Sequence, residues 1–240
     1  MILRERASPN HDARPEGGHI DMLVLHYTGM RTAAEAIDRL CDPAAKVSAH
    51  YMIEEDGTTW RLVDESRRAW HSGVSYWQGT EHVNAASIGI ELVNPGHEWG
   101  YRAFPDAQMA SLEVLCRALL GKHPIPADRV VGHSDVAPLR KQDPGELFDW
   151  PRLARAGIGL WPTDPAPPST DIAGAQAMLA AIGYLAPSSG ALDPEVRQVL
   201  IAFQRRFRPR RIDGDLDEET AARLAAVERA VSALRARRGS

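Results

Sequence analysis

The sequence predicts an α/β fold of the α+β kind, a central mixed β-sheet flanked by helices, with a small three-helix unit after it. Three observations carry this. Short apolar runs interleave with amphipathic stretches in the first 160 residues. Two of those runs flank Asp56-Gly57, a strong hairpin signal. Beyond a proline-rich stretch, residues 171–240 show helical spacing, with capping residues at the helix starts.

In chain order, Asp21–Tyr27 (DMLVLHY) is the first expected buried strand, and Thr32–Leu40 a short helix. Val47–Glu54 (VSAHYMIE) is the next strand, and Thr58–Val63 returns from the turn. Ser87–Val93 (SIGIELV) and Arg129–Gly132 are further buried strands. Between them, Pro105–Lys122 places Met109, Leu112, Leu115, Cys116 and Leu119 on one helical face, with Pro105 near the start. Trp161–Thr170 holds four prolines in ten residues and reads as an extended spacer. The expected division is therefore 1–161, a connector at 162–170, and 171–240, with few contacts across the boundary and 1–161 sufficient for chemistry on small substrates. In the last part, Ala173–Gly183 is a helix, and Asp193-Pro194 caps and starts a second over Glu195–Phe207. Asp213-Gly214 turns the chain, and Asp217–Thr220 begins a third helix that Glu228–Ser240 extends before fraying.

Composition removes several classes of function. With 44% hydrophobic and 25% charged residues, the chain is that of a soluble globular protein. Its 28 basic and 32 acidic residues leave a net charge of −4, without the basic excess a nucleic-acid binder uses to neutralise phosphates. No nucleic-acid partner is expected. Cys41 and Cys116 stand 75 residues apart with no CxxC, which argues against a disulfide scaffold or a thiolate zinc finger and leaves a single bridge open. No apolar stretch approaches the roughly 18 residues of a membrane span. Met1–Pro15 carries charges and prolines where a secretory leader has an apolar core, so the expected location is the cytoplasm, with the periplasm or envelope as the alternative if a leader is missing.

The nine histidines all lie at or before His133, so chemistry is expected in the first part. His26 ends the first strand, Glu91 interrupts an apolar one, and His133 follows Arg129–Gly132 directly. Buried strands carry ionisable groups only when these are paired, hydrogen-bonded or metal-bound. Asp143 lies ten residues after His133. Two histidines and a carboxylate make a three-ligand zinc site with the fourth position open, the pattern of a catalytic centre. Singly, each residue has a plainer reading: a half-buried strand-end histidine, a turn aspartate before Pro-Gly, a structural ion pair for Glu91.

Five blocks taken together resemble a known family. They are Leu25-His26-Tyr27-Thr28; Val47-Ser48-Ala49-His50-Tyr51; Arg68-Ala69-Trp70-His71-Ser72-Gly73; Asn84 with Ser87-Ile88-Gly89-Ile90-Glu91; and Gly132-His133-Ser134-Asp135 with Arg140-Lys141-Gln142-Asp143-Pro144-Gly145. From about Ala7 to Trp161 the chain resembles the zinc-dependent N-acetylmuramoyl-L-alanine amidases of the AmpD and AmiD type. The resemblance implies one zinc ion on His26, His133 and Asp143, Glu91 as the acid that activates the attacking water, and Lys141 beside the scissile carbonyl. It implies a peptidoglycan or muropeptide substrate, cut between N-acetylmuramic acid, in its ordinary or 1,6-anhydro form, and the L-alanine of the stem peptide. His50, His71 and Asn84 are candidate groove residues, with inward packing as the other reading of His50. Trp70, Tyr76 and Trp77 are candidate sugar-stacking residues or core. Lys46 and His82 stand where relatives tend to have peptide-binding arginines, and His82 lacks a permanent bidentate cation. The competing reading is a non-catalytic muropeptide-binding module.

The last part resembles the peptidoglycan-binding domain of wall hydrolases through Gln176, Gly183-Tyr184, Gly190, Asp193, Ala202-Phe203-Gln204, Asp213-Gly214, Thr220 and Leu224, mostly folding residues. Asp215-Leu216-Asp217 departs from the glycine-containing turn expected there. Arg205–Arg211 holds five arginines in seven residues, and the unit reads either as a wall binder or as a stabilising appendage with a solvated basic loop.

Overall fold

The computed structural model describes residues 2–164, 166–168 and 171–239. Its strands are β1 (Ile2–Glu5), β2 (His11–Ala13), β3 (Met22–Tyr27), β4 (Tyr51–Ile53), β5 (Thr58–Arg61), β6 (Arg67–Ala69), β7 (Ser87–Leu92) and β8 (Val130–Gly132). Helices α1 (Ala33–Cys41), α2 (Val83–Ala86), α3 (Gly96–Trp99) and α4 (Asp106–Lys122) lie between them. After β8 come α5 (His133–Val136), α6 (Trp150–Arg155), α7 (Ile172–Ile182), α8 (Pro194–Phe207) and α9 (Glu218–Gly239). The main sheet has the order β1-β5-β4-β7-β3-β8, and β2 pairs with β6 in a second, two-stranded sheet. The β4–β5 hairpin is antiparallel and the other pairs of the main sheet are parallel, so the sheet is mixed as expected.

Strand alternation assigns the two faces. Leu23 and Leu25 of β3 and Ile88, Ile90 and Leu92 of β7 point to one side, where Met109, Leu112, Leu115 and Leu119 of α4 cover them. Met22 and Val24 point to the other, and His26 follows them in the same alternation. On β7 this second face carries Ser87, Gly89 and Glu91, opposite Met22, Val24 and His26 in register. Helix α1 starts where the Thr32 hydroxyl accepts the Glu35 N–H (3.1 Å), and its Ala36, Ile37 and Leu40 pack on Met52.

Several strands differ from the sequence reading. β4 is only Tyr51–Ile53, because the segment before it is held from the side: the Ser48 hydroxyl donates to Asn10 O (2.6 Å) and its N–H to Trp70 O (3.0 Å). Strand β1 is exposed throughout and β2 and β6 are short and polar, so none has the apolar alternation that marks a strand. Both cysteines are free thiols. Among the described residues no helix is long and apolar enough to cross a membrane.

The largest correction concerns the boundary. Of the proline-rich spacer, Pro165, Ser169 and Thr170 lie outside the described residues, as do Met1 and Ser240 at the ends. The three C-terminal helices form as expected, α7 and α8 capped by Asp171 and Asp193. They do not stand apart. Trp77, Val83, Val131 and Val136 share one core with Leu179, Ile182, Tyr184, Leu200 and Phe203. The Trp77 and Tyr184 rings meet edge to face at 4.9 Å, and Gln78 N–H donates to Gly183 O (2.9 Å). Trp77 is therefore core rather than a sugar platform. The arginine run is mostly paired: Arg206 with Asp135, Arg208 with Asp217 and Glu219, Arg211 with Asp213 (2.5 Å). Asp217, part of the departure from the expected turn, is one of those partners.

This packing changes the expectation for a truncated chain. Each large apolar side chain returned to water costs about 1.5–3 kcal/mol, against a total domain stability of roughly 5–15 kcal/mol. Residues 1–161 alone are expected to melt roughly 10 °C or more below the full chain, or to aggregate through the bared face. Paired thermal melts check this, and equal melting temperatures would contradict it.

Candidate active site

Three parallel neighbours, β7, β3 and β8, deliver the site at their carboxyl ends, where open α/β sheets place their ligands. His26 and Glu91 face each other in register, and His133 is the first residue beyond β8. Asp143 arrives from the segment after α5, where its carbonyl accepts the Ser134 N–H (2.8 Å). His26 Nδ1 lies 2.9 Å from His133 Nδ1, and each lies 3.0 Å from Asp143 Oδ2. All three residues are buried.

Hydrogen bonds behind the cluster set the tautomers. The Ser87 hydroxyl donates to Val83 O (2.6 Å), so it accepts from His71 Nε2–H (3.1 Å). His71 Nδ1 then accepts from His26 Nε2–H (3.1 Å), which leaves the His26 Nδ1 lone pair bare. His133 Nε2–H donates to Ser72 O (3.1 Å), with the same consequence for its Nδ1. Burial, with His133 beside it, pushes His26 down to about 4, so it is neutral at ordinary pH. Burial opposes ionisation of Asp143, yet His133 and His26 hold its carboxyl well below the usual range. The two Nδ1 atoms and one carboxylate oxygen thus converge on a single point. They repel one another unless a cation lies between them, and this donor set fits a divalent metal.

Glu91 is partly buried, and its Oε2 is sealed from solvent without a hydrogen-bond partner. Burial, reinforced by Asp143 and partly offset by Lys141, raises its pKa well above the usual carboxylate range. Lys141 is exposed at the mouth of a cavity of about 370 Å³ that it shares with Glu91, the three donors, Trp70 and His71. Lys46 and Asn84 border an adjoining pocket of about 220 Å³. Asn84 Oδ1 accepts from Ser72 N–H (2.9 Å) and from the Ser72 hydroxyl (2.7 Å), fixing the loop that carries the Ser72 carbonyl. His71 is buried behind His26. His50 has no exposed surface: its Nδ1 accepts the Gly89 N–H (3.0 Å) and its Nε2–H faces Arg67 O (3.1 Å). It packs behind the site and does not line the groove. His82 and Tyr76 border a separate, apolar groove with Val74, Leu139 and Leu185.

Two contributors escaped sequence reasoning. Arg14 donates to Glu65 O (2.9 Å), Ala85 O (2.7 Å) and Ser87 O (2.8 Å), tying the amino-terminal segment to the start of β7. In the sequence it is one charge in a polar stretch. Gly89 makes room for His71, because a Cβ there would lie 2.4 Å from His71 Cγ. The glycine inside an otherwise apolar strand was the available signal. His71→Phe keeps the ring but removes the acceptor for His26 Nε2–H. It is expected to weaken metal binding by about 10–100-fold, measured by competition with a chromophoric chelator; unchanged affinity would mean that another contact sets the His26 tautomer.

The sequence profile of the N-acetylmuramoyl-L-alanine amidase family matches residues 16–146, and one described as a peptidoglycan binding domain matches 168–224. The N-acetylmuramoyl-L-alanine amidase AmiD of Escherichia coli is 36% identical over 226 residues, 85% of this chain and 80% of that protein. The 1,6-anhydro-N-acetylmuramyl-L-alanine amidase AmpD of Salmonella typhimurium is 39% identical over 174 residues, 65% of this chain and 90% of that protein. Among solved structures, E. coli AmiD in complex with the substrate anhydro-N-acetylmuramic acid-L-Ala-D-γ-Glu-L-Lys superposes with a TM-score of 0.78 at 35% identity, covering 91% of each chain. AmpDh3 of Pseudomonas aeruginosa gives 0.79 at 34% identity, over 88% of this chain and 92% of that one. A metal-ready His-His-Asp cluster at the carboxyl end of a mixed sheet, a profile spanning more than half of the chain and relatives matched along both parts place this protein in the N-acetylmuramoyl-L-alanine amidase family, as an enzyme of that kind.

Proposed function

We propose that the protein hydrolyses the amide between N-acetylmuramic acid and the L-alanine of the stem peptide in peptidoglycan fragments, using one zinc ion held by His26, His133 and Asp143. The observation that carries this reading is Glu91 Oε2, buried and unpartnered beside three convergent metal donors. Two related enzymes were solved with anhydromuramyl peptides, AmiD with the tripeptide substrate named above and AmpDh3 with an anhydromuramic pentapeptide, which supports the anhydro-muramyl form as a substrate.

Zinc, when bound, supplies Lewis acidity for the carbonyl and lowers the pKa of water toward about 7. The rest falls to the chain. Glu91, shielded from solvent and raised in pKa, takes the proton of the attacking water and returns it to the departing amine as the C–N bond breaks. Lys141 places an ammonium at the mouth of the same cavity, where it offsets negative charge developing on the carbonyl oxygen. Trp70, Lys46 and Asn84 border the route along which the stem peptide and sugar extend. All these groups lie within 1–161, which we take as the catalytic unit, with 162–170 as connector and 171–240 as its helical companion.

The test is to incubate the protein with muropeptides bearing either a 1,6-anhydro or a reducing muramyl end and to follow the products by mass. Free stem peptide with zinc, and none with a chelator, is the expected outcome. Binding without cleavage when zinc is supplied would identify a silent muropeptide-binding module instead.

A further inference from the structure

Asp135 sits two residues beyond His133 in α5, 1% exposed. Its carboxylate accepts the Gly132 N–H (2.8 Å), the Tyr184 hydroxyl (2.6 Å) and Arg206 Nη1 (2.7 Å). The last two come from the C-terminal helices: Tyr184 follows α7 and Arg206 lies on α8. Arg206 is itself buried, donates from Nη2 to Val130 O in β8 (3.0 Å), and stacks over the Trp150 ring of α6 at 4.1 Å. One guanidinium therefore holds the strand that leads into His133, the helix that carries it, and the helix that follows Asp143. The links to the donors are short. Ser134 N–H bonds the Asp143 carbonyl, and a Cβ on Gly132 would lie 2.7 Å from Pro144.

A buried ion pair is weak evidence of stabilisation, since well-packed apolar residues of similar volume serve as well or better. What it adds is a constraint on geometry, because three donors from separate segments converge on one buried carboxylate. Here that geometry is imposed on α5 from a different part of the chain.

We infer that the C-terminal helical unit is a positioning element of the metal centre: Tyr184 and Arg206 hold Asp135, and through it the His133 imidazole, in the orientation that receives the ion. This rests on the proposed zinc site but adds a role for the unit that requires no contact with substrate or wall.

The test uses the full chain. Arg206→Met with Asp135→Asn removes both charges together, so neither is left buried alone, and Tyr184→Phe removes a single hydroxyl. Zinc affinity is read by chelator competition, and the cobalt-substituted protein is read by its visible absorption. Val227→Ala, in the shared core on α9 and bordering Arg206 with a side chain that makes no hydrogen bond, is the comparison for loosened packing. The double variant is expected to bind zinc about 10–100-fold more weakly, with an altered cobalt spectrum and a fall in kcat that exceeds any change in KM. Tyr184→Phe is expected to shift zinc affinity in the same direction by a smaller factor, and it carries the test if the double variant does not fold. Val227→Ala is expected to lower the melting temperature and leave zinc affinity and the cobalt spectrum unchanged. Parent-like zinc affinity and spectrum in Tyr184→Phe and the folded double variant would overturn the inference, as would an equal loss in Val227→Ala. A parent chain that takes up no zinc would overturn both this inference and the proposed zinc site, whereas a zinc-binding parent with unaffected variants overturns this one alone.

Discussion

Glu91→Gln is expected to keep zinc and fold while losing roughly 10²–10⁴-fold in turnover, the usual worth of a general acid–base. The amide occupies the same volume but can neither take a proton from water nor return one to the amine. The change also removes a charge buried without a partner on Oε2 and close to Asp143, so the metal-free variant should melt no lower than the parent. The pH signature has a definite sign. Because the fold raises the Glu91 pKa, its contribution to metal-free stability is present at low pH and lost as pH rises through the folded value; the Gln variant should lack that slope. Activity should decline on the acid side, since the base must be ionised to act. Metal content measured beside turnover decides the matter. If zinc is lost in step with activity, Glu91 is a ligand or a brace and not the base.

Asp143→Ala and His133→Ala are expected to fail earlier, at the metal itself. Asp143 is the one anion among the three donors, and its Oδ2 lies 3.0 Å from both imidazoles. Without it, two neutral nitrogens remain to hold a dication. His133→Ala removes a donor and the bond to Ser72 O together. Either change should weaken zinc by more than the 10–100-fold typical of losing a residue that only supports a ligand. Activity should return in part at high zinc only for a variant that can still be loaded. Dialysed protein assayed for bound metal, then for turnover across a zinc titration, provides the check; full zinc retention by Asp143→Ala would remove it from the ligand set.

How much of this was legible beforehand follows from range. Strands β3, β7 and β8 and helix α4 were readable because their apolar residues are dense and regular enough to mark buried faces by period alone. His26, Glu91 and His133 stood out because each breaks or ends such a run, where an ionisable group needs a reason to exist. Strands β1, β2 and β6 were not readable, since an exposed edge strand needs partners rather than apolar alternation. The roles of His50 and His71 were equally hidden. One accepts a backbone N–H of Gly89 and the other bridges His26 to Ser87, and which histidine does which depends on a strand many residues away.

The sheet-and-helix class, the three-helix tail and a small set of ionisable residues at strand ends, from which a metal site can be drawn, are legible in the amino-acid sequence alone. Local pattern suffices for those, because periodicity, caps and turn residues act over a few positions. Which nitrogen of each histidine faces the cluster, which carboxylate joins it and which stands unpartnered beside it are set by contacts between distant segments. Contacts of the same kind give the C-terminal helices a core shared with the part that carries the site. Asp135, Tyr184 and Arg206 lie 49 and 71 residues apart in the bonds they make, and each alone reads as an ordinary polar side chain. Their hydrogen bonds become strong and specific only when folding removes water from all three together, and no local window of sequence contains that event.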